Sequence, residues 1–254
     1  MFEKYVDAHH DTKRKIVKKI NQSTMTFTQQ QKTLFCKKLI RKIEKIRIST
    51  SNDWKKYYKK QDIEHDVSAD LKIQTIDKIC QKIKFQSALD IGCNIGRFSI
   101  IAEKYAETVI AIDSSEDCIE SVYTYANKHQ KNILPLVVDY ANPPGAYGFA
   151  NQTFDAFFSR ISADLVLFLG IMHHIHITCR QSFQTMIEHL ASITKKYMIF
   201  EFVSADDKNN MLISNGRDIN YSRDTVLTEL YKYFDVDTVP SDRSTREMFI
   251  CTKK

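Results

Sequence analysis

The stretch Leu89-Asp90-Ile91-Gly92-Cys93-Asn94-Ile95-Gly96-Arg97-Phe98 decides the fold. A short apolar run, Ala88 to Ile91, ends in a turn holding two glycines, and a helical pattern begins at once. Glycines at such a turn let backbone N–H groups approach a ligand with no side chain in the way, and the helix start behind them adds its unpaired donors. Twenty-one residues after Gly92 comes Asp113, at the end of a second apolar run, Thr108 to Ile112. A doubly wound α/β fold places at that point a carboxylate that grips a ribose diol. The two features together describe a nucleoside-binding crevice.

Working outward, short apolar runs alternate with helical stretches. Ile133 to Val138 is a third strand ending at Asp139, and Ala163–Leu169 and Tyr197–Val203 continue the series. Helices are expected at about Ile95–Tyr105 and Glu116–Lys128. Strands of this kind, apolar on both faces and separated by helices, form βαβ units and a parallel sheet. Phe234–Val239 and Glu247–Thr252 flank Pro240-Ser241-Asp242-Arg243-Ser244 without an intervening helix, which predicts an antiparallel hairpin at the end.

The turn also says which nucleoside. A dinucleotide fingerprint needs three glycines to seat a pyrophosphate, whereas here the loop reads Gly92-Cys93-Asn94-Ile95-Gly96 and follows an acid, Asp90. A carboxylate there repels a pyrophosphate but suits an ammonium group. S-adenosyl-L-methionine carries such a group and no phosphate, so the loop favours that cofactor over a nicotinamide.

With those residues in hand, the chain resembles the class I S-adenosylmethionine-dependent methyltransferases over roughly residues 70–254. Ala88 to Gly96 looks like their first motif, which makes Asp90, Gly92, Cys93, Asn94 and Gly96 cofactor-binding positions. Asp113 matches the ribose-binding acid, Asp139 in Leu136-Val137-Val138-Asp139 the acid near adenine N6, and Leu169 is carried over as a further cofactor contact. The implied fold is α/β, a Rossmann-like class I methyltransferase fold with a mostly parallel sheet, a C-terminal antiparallel hairpin and a helical N-terminal extension. A narrower resemblance joins Ile133 to Pro144, Ala163 to Ile175 and Phe200-Glu201-Phe202-Val203 to the NoeA-like group, named after a nodulation protein of rhizobia. Trp54, Tyr57 and Lys72 sit where that group has similar residues, while His176 and the long basic N-terminus depart from it.

His173, His174 and His176 follow the fourth strand, at the carboxyl edge where open α/β folds bind ligands. Methyl transfer is an in-line displacement, so aligning the nucleophile is the main task. A hydroxyl acceptor gains from a general base, and imidazole titrates near ~6.5. His173 and His174 are the catalytic candidates; the alternatives are packing, or an N/O site for a divalent ion completed by Glu201. Adjacent histidines rarely point the same way, and no metal is assigned. Asp206 and Asp207 read as caps or solvated acids, Tyr140, Asn142 and Trp54 as substrate borders or packing residues, and Arg160 as a surface or salt-bridge residue.

The rest of the chain sets the context. Of 254 residues, 37 are Lys or Arg and 31 Asp or Glu, a net charge of +6. Residues 1–85 hold 21 basic against 10 acidic residues, and residues 86–254 hold 16 against 21, so the excess is N-terminal. Gly is absent before Gly92, and Leu34, Phe35, Leu39, Ile40, Ile43 and Ile46 recur at helical spacing between Gln31 and Ile48. A second helix, about Asp70 to Ile83, turns Leu71, Ile73, Ile76, Ile79 and Ile83 toward a core. The expected division is a basic helical extension or lid at 1–69 and a cofactor-binding domain at 70–254. Six scattered cysteines without a Cys-x-x-Cys pair read as reduced thiols, and no apolar run approaches a membrane span, so a cytoplasmic protein is expected.

Three functions compete on this reading. The first is methyl transfer to oxygen or nitrogen of a small-molecule or saccharide-like acceptor. The second makes RNA the acceptor, with the basic segment and Trp54, Tyr57 and Tyr58 binding phosphates and bases. The third is a non-catalytic interaction module on the same fold.

Overall fold

The computed structural model describes residues 28–43, 45, 71–215, 221–239, 241 and 243–254. Contacts divide the chain into two units, residues 1–49 and 50–254. The boundary expected near residue 70 and the aromatic residues Trp54, Tyr57 and Tyr58 lie outside the described residues.

In the first unit, helix α1 runs from Gln29 to Ile43. Thr28 and Gln31 close a capping box: the Thr28 N–H donates to Gln31 Oε1 at 2.9 Å and the Gln31 N–H to Thr28 Oγ1 at 3.3 Å. The amphipathic spacing read from the sequence is therefore helical, and Leu34, Phe35, Leu39, Ile40 and Ile43 are exposed.

The second unit is built on strands β1 (Ser87–Ile91), β2 (Thr108–Asp113), β3 (Ile133–Val137), β4 (Ala163–Phe168), β5 (Thr194–Val203), β6 (Phe234–Val239) and β7 (Arg246–Lys253). They form a seven-stranded sheet in the order β3-β2-β1-β4-β5-β7-β6. The first five strands are parallel; β7 pairs antiparallel with both β5 and β6. The expected mostly parallel sheet with a closing hairpin is thus present, with β7 inserted beside β5 and β6 left at the edge. Strand order reverses on either side of β1, and that switch point is where such sheets open a ligand crevice.

Helices α2 (Leu71–Lys82), α3 (Arg97–Glu103), α4 (Glu116–His129), α5 (Phe183–Ile193), α6 (Lys208–Ser214) and α7 (Arg223–Leu230) complete the unit. Alternate strand residues feed two apolar clusters. Leu89, Val166 and Phe200 join α5 and α7 residues such as Leu190 and Leu230, whereas Ala88, Leu165 and Ile199 join Ile76, Phe98 and Val122 of α2, α3 and α4. That two-sided burial is why the strands read as continuous apolar runs rather than as alternating ones.

Boundaries differ from the sequence reading where the backbone dictates it. The helix expected from Ile95 starts at Arg97, because Gly96 sits at φ 81° in the left-handed region and cannot belong to a right-handed helix. Helix α4 begins at Glu116 as expected, capped by Ser115, whose Oγ accepts from the Cys118 N–H, with Glu116 and Asp117 favourably placed in its first turn. Strand β5 begins at Thr194, directly after α5, three residues earlier than its apolar run. Helices α5, α6 and α7 were not placed by the sequence reading.

Candidate active site

The turn after β1 is held from three directions. The Gly92 and Cys93 N–H groups both donate to the Ile112 carbonyl of β2, at 2.9 and 3.0 Å, and the Gly96 N–H donates to the Cys93 carbonyl at 2.9 Å. Gly92 has φ 72°, and a Cβ there would lie 2.5 Å from Ile171 Cγ2; at Gly96 it would lie 2.8 Å from Val122 Cγ2. Both glycines are therefore required by conformation and by space. Asn94, itself left-handed at φ 50°, accepts from the Ile95 N–H through Oδ1 at 2.7 Å.

Asp113 ties this turn to the next one. Its Oδ2 accepts from the Asn94 N–H at 2.9 Å and its Oδ1 from the Ser115 N–H at 2.8 Å. Burial pushes its carboxyl above the usual range, while the N–H bonds from Ser115, Asn94 and Ser114 pull the other way. Asp139 accepts from the Ala141 N–H at 2.9 Å in an Asx turn after β3.

These elements border a cleft of about 480 Å³ at the carboxyl edge of the sheet. Gly92, Cys93, Asn94, Asp113, Asp139 and Leu169 all line it, as do His173 and His174. Gly96 does not line it and acts through the turn's shape. Asp90 is not among the lining residues either. It is 1% exposed, its Oδ2 accepts from the Ser99 hydroxyl at 2.6 Å, and burial pushes its carboxyl up to about 7, with the negative charge of Asp113 adding to the shift. The acid expected to meet an ammonium is thus buried beside the turn, with the Ser99 hydroxyl as its partner.

The histidines separate. A π-helical turn, His174–Thr178, follows β4, a form often found at functional sites. His173 is buried and its Nδ1 has no hydrogen-bond partner among the described residues. Burial, the neighbouring His174 and Arg246 push its imidazole down to about 3, against a smaller opposing effect of Asp207. Burial and Arg246 likewise lower His174, whose ring lies 4.2 Å from that of His173. Both shifts favour the neutral imidazole. His176 instead places Nδ1 2.8 Å from the Gln181 carbonyl oxygen and stacks on Phe183.

Glu201, named with the histidines as a set that could hold a divalent ion, lies against two cations. Glu201 Oε2 accepts from Lys72 Nζ at 2.8 Å and lies 3.7 Å from Arg246 Nη1, so cations rather than imidazoles compensate its burial. Among the described residues no group of three His, Cys, Asp or Glu side chains is placed to hold a metal ion. Arg246 Nε is also 3.5 Å from Asp207 Oδ2, which accepts from the Thr245 hydroxyl at 3.0 Å. Asp207, read from the sequence as a cap or a solvated acid, is buried. The network joins residues 72, 201, 207 and 246, and a Cβ on Gly170 would stand 3.0 Å from Glu201 Oε2. Sequence reasoning missed Arg246 and the roles of Lys72 and Gly170. Only the acid inside the apolar run of β5 signalled that a buried partner was needed. Tyr140 also lines the cleft, with its hydroxyl 2.9 Å from His189 Nδ1.

The cleft fits S-adenosylmethionine on its own chemistry. Its volume lies within the ~300–1,000 Å³ of small-ligand sites. A carboxylate, Asp113, borders it for hydroxyl donors, and Gly92, Cys93 and Asn94 of the turn line it. Leu169 and Val138 give an apolar lining near Asp139 for a ring system.

Comparison with known proteins agrees. Residues 56–239 match the family described as methyltransferase domain. Nodulation protein NoeA of Rhizobium meliloti (strain 1021) is 30% identical over 150 residues, 59% of this chain; the matched length is 31% of that relative. The N-methyltransferase NodS from Bradyrhizobium japonicum WM9, in complex with S-adenosyl-L-homocysteine, superposes with a TM-score of 0.53 at 14% identity, covering 80% of this chain and 93% of that one. Magnesium protoporphyrin IX methyltransferase from Synechocystis PCC 6803, with the same product bound, gives 0.52 at 15% identity, covering 79% and 92%. At these identities the structural likeness is one of fold. The glycine turn and Asp113 at the switch point, together with the family match over most of its length, place this chain in the methyltransferase-domain family, whose enzymes use S-adenosylmethionine.

Proposed function

We propose that this enzyme transfers a methyl group to an oxygen or nitrogen atom of a small-molecule or saccharide-like acceptor. The observation that carries the reading is a single cleft lined both by Gly92, Asp113 and Asp139 and by two imidazoles, His173 and His174, whose shifts favour the neutral form. When bound, S-adenosylmethionine supplies an electrophilic methyl group on its sulfonium. Asp113 accepts hydrogen bonds from the ribose hydroxyls, Asp139 accepts from the adenine amino group, and Leu169 packs against the base. Cys93 and Asn94 bound the turn, and the buried Asp90 keeps it in shape through Ser99.

His173 and His174 stand at the acceptor end. A neutral imidazole accepts a proton from a hydroxyl or holds an amine by hydrogen bonding, and aligning the nucleophile contributes several kcal/mol to such displacements. His174 is the better placed proton acceptor, being less buried than His173. The six free thiols support a reducing compartment, the cytoplasm, as the place of action.

Isothermal titration with S-adenosylmethionine and S-adenosylhomocysteine tests the cofactor half; no heat of binding at millimolar ligand would falsify it. A screen of acceptor classes for release of the demethylated cofactor tests the other half. With an acceptor in hand, His174→Ala is expected to lower kcat about 10²-fold with cofactor affinity unchanged.

A further inference from the structure

Helix α1 of the first unit carries an exposed apolar stripe and a set of cations with no carboxylate beside them among the described residues. We propose that α1 is an interfacial helix, which lays its apolar stripe into an anionic lipid surface and sets its lysines and arginine on the headgroups. Nothing in this depends on which reaction the second unit performs.

The 15 residues from Gln29 to Ile43 include five cations, Lys32, Lys37, Lys38, Arg41 and Lys42, and no acid. At about 100° per residue, Phe35, Leu39 and Ile43 follow one another at intervals of four, and Cys36 and Ile40 run beside them, so these five share one face. Lys37, Lys38, Arg41 and Lys42 occupy the opposite face. Two residues depart from the pattern: Leu34 lies among the cations, and Lys32 lies at the N-terminal end of the apolar face. Leu39 is 41% exposed and Phe35, Ile40 and Ile43 are 58%, 54% and 60% exposed, and no residue of the helix is buried. Four large apolar side chains in one stripe form a patch, which scattered surface leucines do not.

A helix of about 12–15 residues is marginal in water without tertiary packing. Because α1 buries nothing, its support is local: the capping box of Thr28 and Gln31, and the Thr33 hydroxyl donating to the Gln29 carbonyl at 2.9 Å. A surface that covers the stripe supplies the missing stabilisation, and charge decides which surface. A second copy of α1 brings five more cations to the seam and no acid to pair with them. RNA answers the cations but leaves Phe35, Leu39, Ile40 and Ile43 in water. An anionic lipid layer answers both, with phosphates for the cations and the acyl boundary for the side chains. Lys32 on the apolar face and Leu34 on the cationic one also suit a fluid layer, where each side chain finds its own depth, better than a protein groove shaped to the stripe. At 15 residues with five cations, α1 is too short and too charged to cross a bilayer, so it lies on the surface.

The test is sedimentation of the full chain with vesicles of phosphatidylcholine alone or with ~30% phosphatidylglycerol, at ~0.1 M salt. The anionic vesicles are expected to bind about tenfold or more tighter than the neutral ones. Leu39→Ser/Ile43→Ser, which breaks the stripe, and Lys37→Gln/Lys38→Gln/Arg41→Gln/Lys42→Gln, which removes the cationic face, are each expected to weaken that binding about tenfold or more. All six positions are exposed, so the thermal melt of either variant should match that of the wild type. Equal binding to both kinds of vesicle, or binding to neither, overturns the proposal. Undiminished binding by the serine variant also overturns it, since the cations would then act without the stripe, and undiminished binding by the glutamine variant removes the role of charge. A ~20-nucleotide RNA that binds more tightly than the anionic vesicles and displaces the chain from them assigns the helix to RNA instead. A wild-type dimer in light scattering that becomes a monomer in Leu39→Ser/Ile43→Ser assigns the stripe to a second copy, which overturns the proposal equally. The vesicle comparison uses the wild-type chain, so it decides the matter even if a variant melts early.

Discussion

Replacing Asp90 with asparagine tests whether the acid of the first motif is a core group before it is anything else. Its carboxyl is 1% exposed, held by the Ser99 hydroxyl at 2.6 Å, and pushed from 3.8 up to about 7, chiefly by burial. The negative charge of Asp113 adds to the rise, while Ser99 and Lys72 oppose it. Between those two values the folded protein keeps a proton that the unfolded chain has released. Stability therefore falls as pH rises from about 4 to about 7 and levels off above, the folded state binding more protons throughout that window. The full interval corresponds to about 4 kcal/mol, of which about 3 kcal/mol falls between pH 5 and pH 8. Asparagine keeps the shape and does not titrate, so Asp90→Asn removes this dependence and other titrating groups cancel in the comparison. Urea denaturation followed by circular dichroism, on both proteins at pH 5, 6, 7 and 8, reads the difference directly. The gap in unfolding free energy should move in favour of Asp90→Asn by about 3 kcal/mol across that range. A gap that stays constant with pH refutes the reasoning, because it means that the buried carboxylate is already ionised and compensated.

Gly96→Ala should cost about 2 kcal/mol in a thermal or urea melt, combining a left-handed φ with a Cβ 2.8 Å from Val122 Cγ2; wild-type stability would show that the turn relaxes freely. Glu201→Gln should destabilise by about 3 kcal/mol, since it leaves Lys72 and Arg246 with one fewer anion in a buried site. The Lys72→Met/Glu201→Gln double variant should recover part of that loss, and a double-mutant cycle with no coupling energy would contradict the network. NMR of ring-labelled histidine, assigned with His173→Asn, should show His173 neutral through pH 5, with no inflection near 6.5. Its contribution to stability accordingly fades as pH falls from 6.5 toward 3, and an ordinary titration midpoint would count against its burial.

Local signals served the cofactor half well. Gly92, Asn94 and Asp113 stand close to one another because a strand, a tight turn and the next strand's end are adjacent steps of one βαβ unit, and each leaves its mark in sequence. The start of α3 was misjudged by two residues for a related reason: helical periodicity says nothing about φ, and Gly96 adopts a left-handed value. His173 and His174 were found by their position after β4, but their separation from His176 depends on the π turn. Three imidazoles within four positions look like a set on paper; the turn sends His176 to Phe183 and Gln181.

From the sequence alone came the alternation of elements, the hairpin that closes the sheet, and the cofactor turn, because each rests on contacts between near neighbours along the chain. The tertiary structure decided what Asp90 faces, and it revealed that Glu201 is answered by Lys72 and Arg246. It also showed that the cations of that network border the cleft while its carboxylates do not. Those residues are brought together by the sheet, with β5 lying between β4 and β7 and α2 packing from far upstream. Burial then converts ordinary side chains into shifted acids, imidazoles held toward their neutral form and a buried ion-pair network, and burial is a property that no residue possesses until the chain has folded around it.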